Sequence, residues 1–202
     1  DLSIHETLEA ITKNIESLSR DAFCSILLLD EDGVHLKLGA APSLPQEYNQ
    51  AIDGVAIGES VGSCGTAAYR KETIIVSDIA SDPLWVDYRE LAFKYGLRSC
   101  WSTPIMDAQS QVLGTFAIYH PETYIPTRPD FKLIERATQQ TKIVIERKRA
   151  EAALQKQTEE LLQLNDQLEQ RVRERTAEIE ATRTRLELAT DAAGLGIWEW
   201  DV

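Results

Sequence analysis

The chain has little cysteine: Cys24, Cys64 and Cys100 are the only three in 202 residues, an odd number at wide spacing. That pattern suggests neither a disulfide framework nor a zinc site, and free thiols fit a reducing cytoplasm. No signal sequence is recognisable, and no apolar run is long enough to span a bilayer, so no membrane contact is expected of this chain. It also lacks a glycine-rich nucleotide fingerprint, a nucleophile beside a readable base, and a carboxylate-histidine cluster of metal-ligating spacing. No catalytic residue and no metal site are therefore expected. Basic residues are scarce too, with 21 Lys and Arg against 33 Asp and Glu, a net charge of −12. Between Glu146 and Glu187 the signs nearly balance, at 10 acidic and 9 basic, so the excess acid lies elsewhere in the chain. An acidic globular part argues against nucleic acid or an anionic lipid surface as partner.

Glycine and proline are missing altogether between Pro129 and Gly194. Charge alternates with leucine there, and at about 1.5 Å per residue such a helix would reach roughly 95 Å, too long for a small domain to shelter. With Leu154 at heptad position d, the d series is Leu154, Leu161, Leu168, Arg175, Thr182 and Ala189. The a series is Thr158, Asn165, Val172, Ile179 and Leu186. This seam predicts a parallel homodimeric coiled coil. Asn165 at a and Arg175 at d weaken it, the first by fixing register and the second by placing a guanidinium where an apolar knob would pack. Glu178 at g can meet Arg183 at e of the partner chain, which favours the parallel arrangement. Leu162 and Leu164 widen the stripe at e and g, where a further helix could dock. A static dimerisation rod with tolerated polar positions is the alternative to a switching role.

With 43% apolar and 27% charged residues, the chain can hold one good core besides that helix. The spacing of Leu2, Ile4, Leu8, Ile11, Ile15 and Leu18 predicts a first amphipathic helix. Strands are expected at Phe23 to Leu29 and Val34 to Ala40 around the turn Asp30-Glu31-Asp32-Gly33, then a short helix over Gln46 to Ile52. A glycine-punctuated loop (Gly58, Gly62, Gly65) leads to a helix near Thr66 to Arg70 and a strand over Thr73 to Val76. A helix from Asp82 to about Tyr95 closes at Gly96, and strands follow at Ser99 to Ile105 and Val112 to Tyr119. Pro129 and Asp130 suit the start of the long helix. Mixed helices and antiparallel hairpins make the first part an α+β domain around one sheet.

Four blocks in order carry a resemblance over about the first 148 positions. They are Gly62-Ser63-Cys64-Gly65-Thr66-Ala67, Asp78-Ile79 with Asp82-Pro83-Leu84-Trp85, Gly96 through Ile105, and Val112 through Tyr119. Together they resemble a GAF domain. The resemblance implies a central antiparallel sheet of five or six strands flanked by helices, usually enclosing a small-ligand pocket, followed here by the long parallel coiled-coil helix. The run Leu168 to Thr176, with Glu174-Arg175-Thr176, resembles the linker helix between sensory and output domains of bacterial signalling proteins, where a Glu-Arg-Thr triplet is frequent. Leu186 to Asp201 is similar to the entry helix and first strand of a PAS domain. The expected organisation is thus a sensory domain over 1–148, a signalling helix over 149–190 and the truncated start of a PAS domain over 191–202. The chain is expected to be a piece of a larger protein whose output domain, a histidine kinase first and a diguanylate cyclase second, lies in the same parent chain.

The resemblance also suggests what the pocket would hold. Its candidate residues are Cys64, Trp85, Tyr88, Cys100, Ser102 and Tyr119, because the helix from Trp85 and the last two strands line the pocket in the family. The alternative is that they fill a core with no ligand. Cys64, in a glycine-rich loop before a helix, is either a thiol with lowered pKa or an anion-holding position, or a small residue at a close helix-sheet contact. A GAF enzyme that reduces free methionine sulfoxide is similar around Cys64, but its second cysteine should fall within Asp82 to Trp85, where there is none. A covalent bilin would need a cysteine near Arg89, and the cyclic-nucleotide pattern of phosphodiesterase GAF domains is missing. A haem ligand could come only from His5, His35 or His120, and the last two read as ordinary surface residues. The cofactor therefore stays unassigned.

Overall fold

A computed structural model describes residues 3–19 and 21–193. Residues 194–202, most of the segment expected to begin a PAS domain, lie outside the described residues. Ser3 opens helix α1 (Ile4–Leu18) with a capping box: the Glu6 amide donates to Ser3 Oγ at 3.2 Å, and the Ser3 amide to Glu6 Oε2 at 2.7 Å. Strands β1 (Phe23–Leu29) and β2 (His35–Ala40) form the expected hairpin. Helix α2 (Gln46–Ile52) follows, then a two-residue strand β3 (Val55–Ala56), helix α3 (Gly62–Arg70) and strand β4 (Ile74–Val76). A 3-10 turn (Pro83–Trp85) and helix α4 (Arg89–Lys94) precede the long strands β5 (Ser99–Met106) and β6 (Val112–His120). The last element among the described residues is helix α5 (Arg128–Ala192).

The six strands make one antiparallel sheet in the order β3-β2-β1-β6-β5-β4. Both edges are short, which limits the unpaired backbone available for pairing with another chain. The central strands are apolar almost throughout because both faces are covered. On one face Cys24, Ile26, Trp101, Ile105, Phe116 and Ile118 pack with Leu8 and Ile15 of α1 and with Ile134, Ala137 and Ile145 of α5. On the other, Leu27, Cys100, Ala117 and Tyr119 pack with Tyr48 of α2, Cys64, Ala67 and Ala68 of α3, and Trp85. The period-2 alternation of β6 serves both cores, with Phe116 and Ile118 on one and Ala117 and Tyr119 on the other.

The chain divides into two units, Asp1–Arg149 and Ala150–Val202. In the first, α5 buries Ile134, Ala137, Thr141 and Ile145, at helical spacing of three, four and four. In the second, every residue from Glu151 to Ala189 is exposed. Leu154 is 65% exposed, Leu161 66% and Ile179 67%.

Three local expectations need correction. The helix foreseen at Thr66 begins at Gly62, whose φ of +53° is a left-handed value open to glycine at little cost. The helix foreseen from Asp82 to Tyr95 is two pieces, because the Asp82 side chain caps only one 3-10 turn (Leu84 N–H donating to Oδ1 at 2.9 Å) before α4 starts anew after Tyr88. Strand β3 was not foreseen, since two residues carry no periodic signal.

Gly114 lies where β6 runs closest to β1, and a Cβ there would run into the Leu27 carbonyl oxygen. Gly114→Ala is therefore expected to lower unfolding stability by about 1–3 kcal/mol or more, read as a lower midpoint in urea melts.

Candidate functional site

The site is built at the N-terminal end of α3, where the glycine-rich run lets the helix approach the sheet. A cavity lies between that end, Leu27 and Tyr119 on the sheet, Tyr48, Ile52 and Val55 from the α2–β3 region, and Trp85, Tyr88 and Leu91 from the segment above it. Four of the six expected residues line it: Cys64, Trp85, Tyr88 and Tyr119. Cys100 and Ser102 do not. They sit on the same sheet face, both fully buried, with Cys100 in the core and Ser102 beside the Cys64 thiol. Tyr48, which carried no sequence signal, supplies a wall, its ring edge-on to Tyr119 at 6.0 Å and to Tyr95 at 5.8 Å.

A chain of buried polar groups forms the floor. The Trp85 indole donates from Nε1 to Ser63 Oγ at 3.0 Å, and Ser63 Oγ donates to the Cys100 carbonyl at 3.3 Å. Cys64 Sγ lies 3.7 Å from the Tyr119 hydroxyl, which also meets Ser25 Oγ at 3.3 Å. The Ser102 and Thr115 hydroxyls adjoin the same thiol and are buried without a hydrogen-bond partner. Burial pushes the pKa of the Cys64 thiol up, and those of the Cys100 thiol and the Tyr119 phenol well up, so the neutral forms prevail at pH 7. A protonated, buried thiol is a poor nucleophile. Cys64 is the small residue at a close helix-sheet contact, and the low-pKa alternative is not supported.

The cavity is small and about half open to the surface. Its volume is about 40 Å³, room for about three waters at roughly 10–15 Å³ each, against roughly 300–1,000 Å³ for pockets that enclose drug-sized molecules. Enclosing anything larger would require a wall such as the Trp85–Leu91 segment to move. That segment is tied down by Trp85 Nε1 and by Arg89, which donates to the Ile79 carbonyl at 3.0 Å and the Asp82 carbonyl at 3.1 Å. Among the described residues, no group of three or more His, Cys, Asp or Glu side chains is placed to hold a metal ion.

A family model for the GAF domain matches residues 3–145. The chain belongs to the GAF domain family. A curated relative, the methyl sulfide methyltransferase-associated sensor of Methanosarcina acetivorans, is 35% identical over 171 residues. The match takes in 82% of this chain but only 17% of the relative, so the chain spans about a sixth of that protein's length. The domain of a two-component sensor histidine kinase protein from Sinorhizobium meliloti superposes with a TM-score of 0.63 at 24% identity, covering 77% of this chain and 99% of that one. The GAF domain of a phosphoenolpyruvate-protein phosphotransferase from Coxiella burnetii gives 0.63 at 20% identity, covering 76% and 88%. At these identities the two structures support the fold alone.

The signalling-helix residues lie in the second unit and are exposed. Asn165 Nδ2 donates to Glu169 at 3.3 Å, Glu174 accepts from Gln170 at 3.0 Å, and Thr176 Oγ1 donates to the Val172 carbonyl at 2.8 Å. Arg175 donates to Glu178 at 2.9 Å and Arg183 to Glu187 at 2.9 Å, so the expected Glu178–Arg183 pair between chains would compete with bonds inside each helix. No helix among the described residues is long and apolar enough to cross a membrane. His120, expected at the surface, is only 4% exposed because the loop after β6 folds Tyr124 over its ring.

Two outcomes follow for this site. Thiol titration of the native GAF domain at pH 7.5 should find almost no fast-reacting cysteine, and three after denaturation. Ser63→Ala leaves the buried Trp85 N–H without its acceptor and should cost about 1–3 kcal/mol in a denaturant melt.

Proposed function

We propose that this chain is the sensory and transmitting region of a multidomain signalling protein, of the kind found in bacterial sensor histidine kinases. The GAF domain senses a small molecule through the cavity at the α3 terminus, and α5 relays the change as a parallel coiled coil with a second copy. The output domain lies in the same parent chain, and the region works in the cytoplasm without nucleic acid or lipid as a direct partner. The observation that carries this reading is the division of labour within α5. Its first turns complete the core behind the sheet through Ile134, Ala137 and Ile145. Its later heptad positions Leu154, Leu161, Leu168, Val172, Ile179 and Leu186 stay more than half exposed in the single chain. An unpartnered leucine seam is costly in water and is covered when two such helices pair.

Occupying the cavity would displace Trp85 and Tyr88, and β6 connects that change to α5, since Tyr119 faces the cavity while Ile118 packs on the α5 side. In the paired helices Asn165 and Arg175 are the weak layers, where a small rotation is least opposed. A passive dimerisation spacer is the competing reading, favoured by the small size of the cavity.

Native mass spectrometry of the purified chain, with an absorption spectrum of the same sample, tests both parts. A dimer is expected, carrying extra mass when ligand is retained, and a monomer overturns the relay. Leu161→Glu should abolish the dimer. Arg175→Leu should stabilise it by about 1–4 kcal/mol, because a desolvated guanidinium gives way to an apolar knob. In the intact protein, a relay predicts that Arg175→Leu also locks the output, whereas a spacer predicts no change.

A further inference from the structure

His120 ends β6, and its ring lies flat against Tyr124, with centroids 4.0 Å apart and planes 15° from parallel. Its Nδ1 is buried and has no hydrogen-bond partner. The Tyr124 hydroxyl donates to Asp130 Oδ2 at 2.8 Å. The same oxygen accepts from the Thr127 amide at 2.7 Å and Thr127 Oγ1 at 2.6 Å, while Thr127 receives the Phe131 amide on its carbonyl at 3.1 Å. Asp130 thus closes the first turn of α5, and Tyr124 connects that cap to the imidazole. Beside the ring opens a cavity of about 410 Å³, bordered by Asp21, Glu122 and Tyr124.

We propose that His120 is a proton-operated latch at the root of α5: neutral, it holds Tyr124 and through it the Asp130 cap; protonated, it leaves the stack and loosens the first turn. An imidazolium in this position would be desolvated with its Nδ1 proton unmatched. It has two escapes: to swing into the cavity toward Asp21 and Glu122, or to draw Asp130 away from Thr127. Either one breaks the Tyr124–Asp130–Thr127 chain. The groups that face the ring are Asp130 from α5, Asp21 from the α1–β1 turn, and Glu122 and Tyr124 from the β6–α5 loop. Arg98, whose amide donates to the His120 carbonyl at 2.8 Å, commits its guanidinium to Asp78 at 2.8 Å.

Burial lowers the His120 pKa below the ordinary histidine value, and the charges of Asp130 and Asp21 oppose that only in part. For a histidine whose folded pKa is depressed, protonation favours the open state. The latch is therefore intact above the unfolded-state value near 6.5 and weakens as pH falls through and below it. The consequence for signalling rests on the reading of α5 as a relay, but the latch itself is local to the GAF unit and is measured there.

Amide hydrogen exchange of the full chain, followed from Phe131 to Ile134 and corrected for the intrinsic rate, is the test. Between pH 7.5 and 5.0 the corrected exchange should rise, up to a ceiling of roughly thirtyfold set by an open-state pKa near 6.5, and an NMR titration of the His120 ring should give a pKa below that of free histidine. His120→Gln should remove the pH dependence. Should that variant fail to fold, Tyr124→Phe, which keeps the ring stack and removes the bond to Asp130, should exchange faster at pH 7.5 and respond less to acid. Exchange that does not change with pH in the wild type, or a pH response equal in His120→Gln or Tyr124→Phe, overturns the latch. Loss of the dimer with the pH response intact would instead count against the relay and leave the latch standing.

Discussion

The burial of the first turns of α5 against the sheet is the contact on which the rest depends. Ile134, Ala137 and Ile145 meet Trp101, Phe116 and Ile118 in the core behind β5 and β6, with Thr141 buried in the same stripe. Without that cover the sheet would expose an apolar face, at a cost of about 25 cal/mol per Å² drawn against the marginal stability of a folded domain. Because the strands are one layer thick, the same residues that anchor α5 stand back to back with those lining the cavity. Ile118 and Tyr119 are neighbours in sequence on opposite faces, and His120 follows at the point where the chain turns toward α5. Packed cores transmit displacement because they hold few voids to absorb it.

The chemistry of the cavity suits a binding site rather than a reactive one. Its thiol is protonated, its walls are aromatic and aliphatic, and its polar groups are mostly engaged with one another. The indole-to-serine-to-carbonyl chain fixes Trp85 against the α3 terminus, so any guest must break that chain or lie beside it. The GAF fold supplies the frame, and under the proposed sensing role these side chains would decide what enters.

Much of the architecture was legible in the sequence because its signals are local. The apolar strands flanking Asp30–Gly33, the helix stop at Gly96, and the unbroken run after Pro129 each reflect backbone preferences that act within a few residues. What was illegible depends on contacts far apart in the chain. The start of α3 hid behind Gly62 and Gly65, poor helix formers kept where helix and sheet come close. The resemblance to the family's pocket placed Cys100 and Ser102 near the site, and they do share its sheet face, but the cavity lies over β1 and β6, which the resemblance does not register. Tyr48 and the buried state of His120 arise from an α2 wall and a folded-back loop, neither of which leaves a periodic trace.

The central claim is that two copies of α5 pair in parallel along the heptad seam. Distance measurement between spin labels on outward positions, in separate Lys156→Cys and Thr184→Cys variants of the full chain, tests it most directly, the native cysteines being buried. Helices about 8–10 Å apart in a parallel, in-register pair would hold both label pairs to roughly 30 Å or less. In an antiparallel pair the two sites lie 28 residues apart along each helix, so at about 1.5 Å per residue at least one pair would exceed roughly 40 Å. Short distances at both sites are predicted; a long distance at either, or no measurable pairing, would contradict the account.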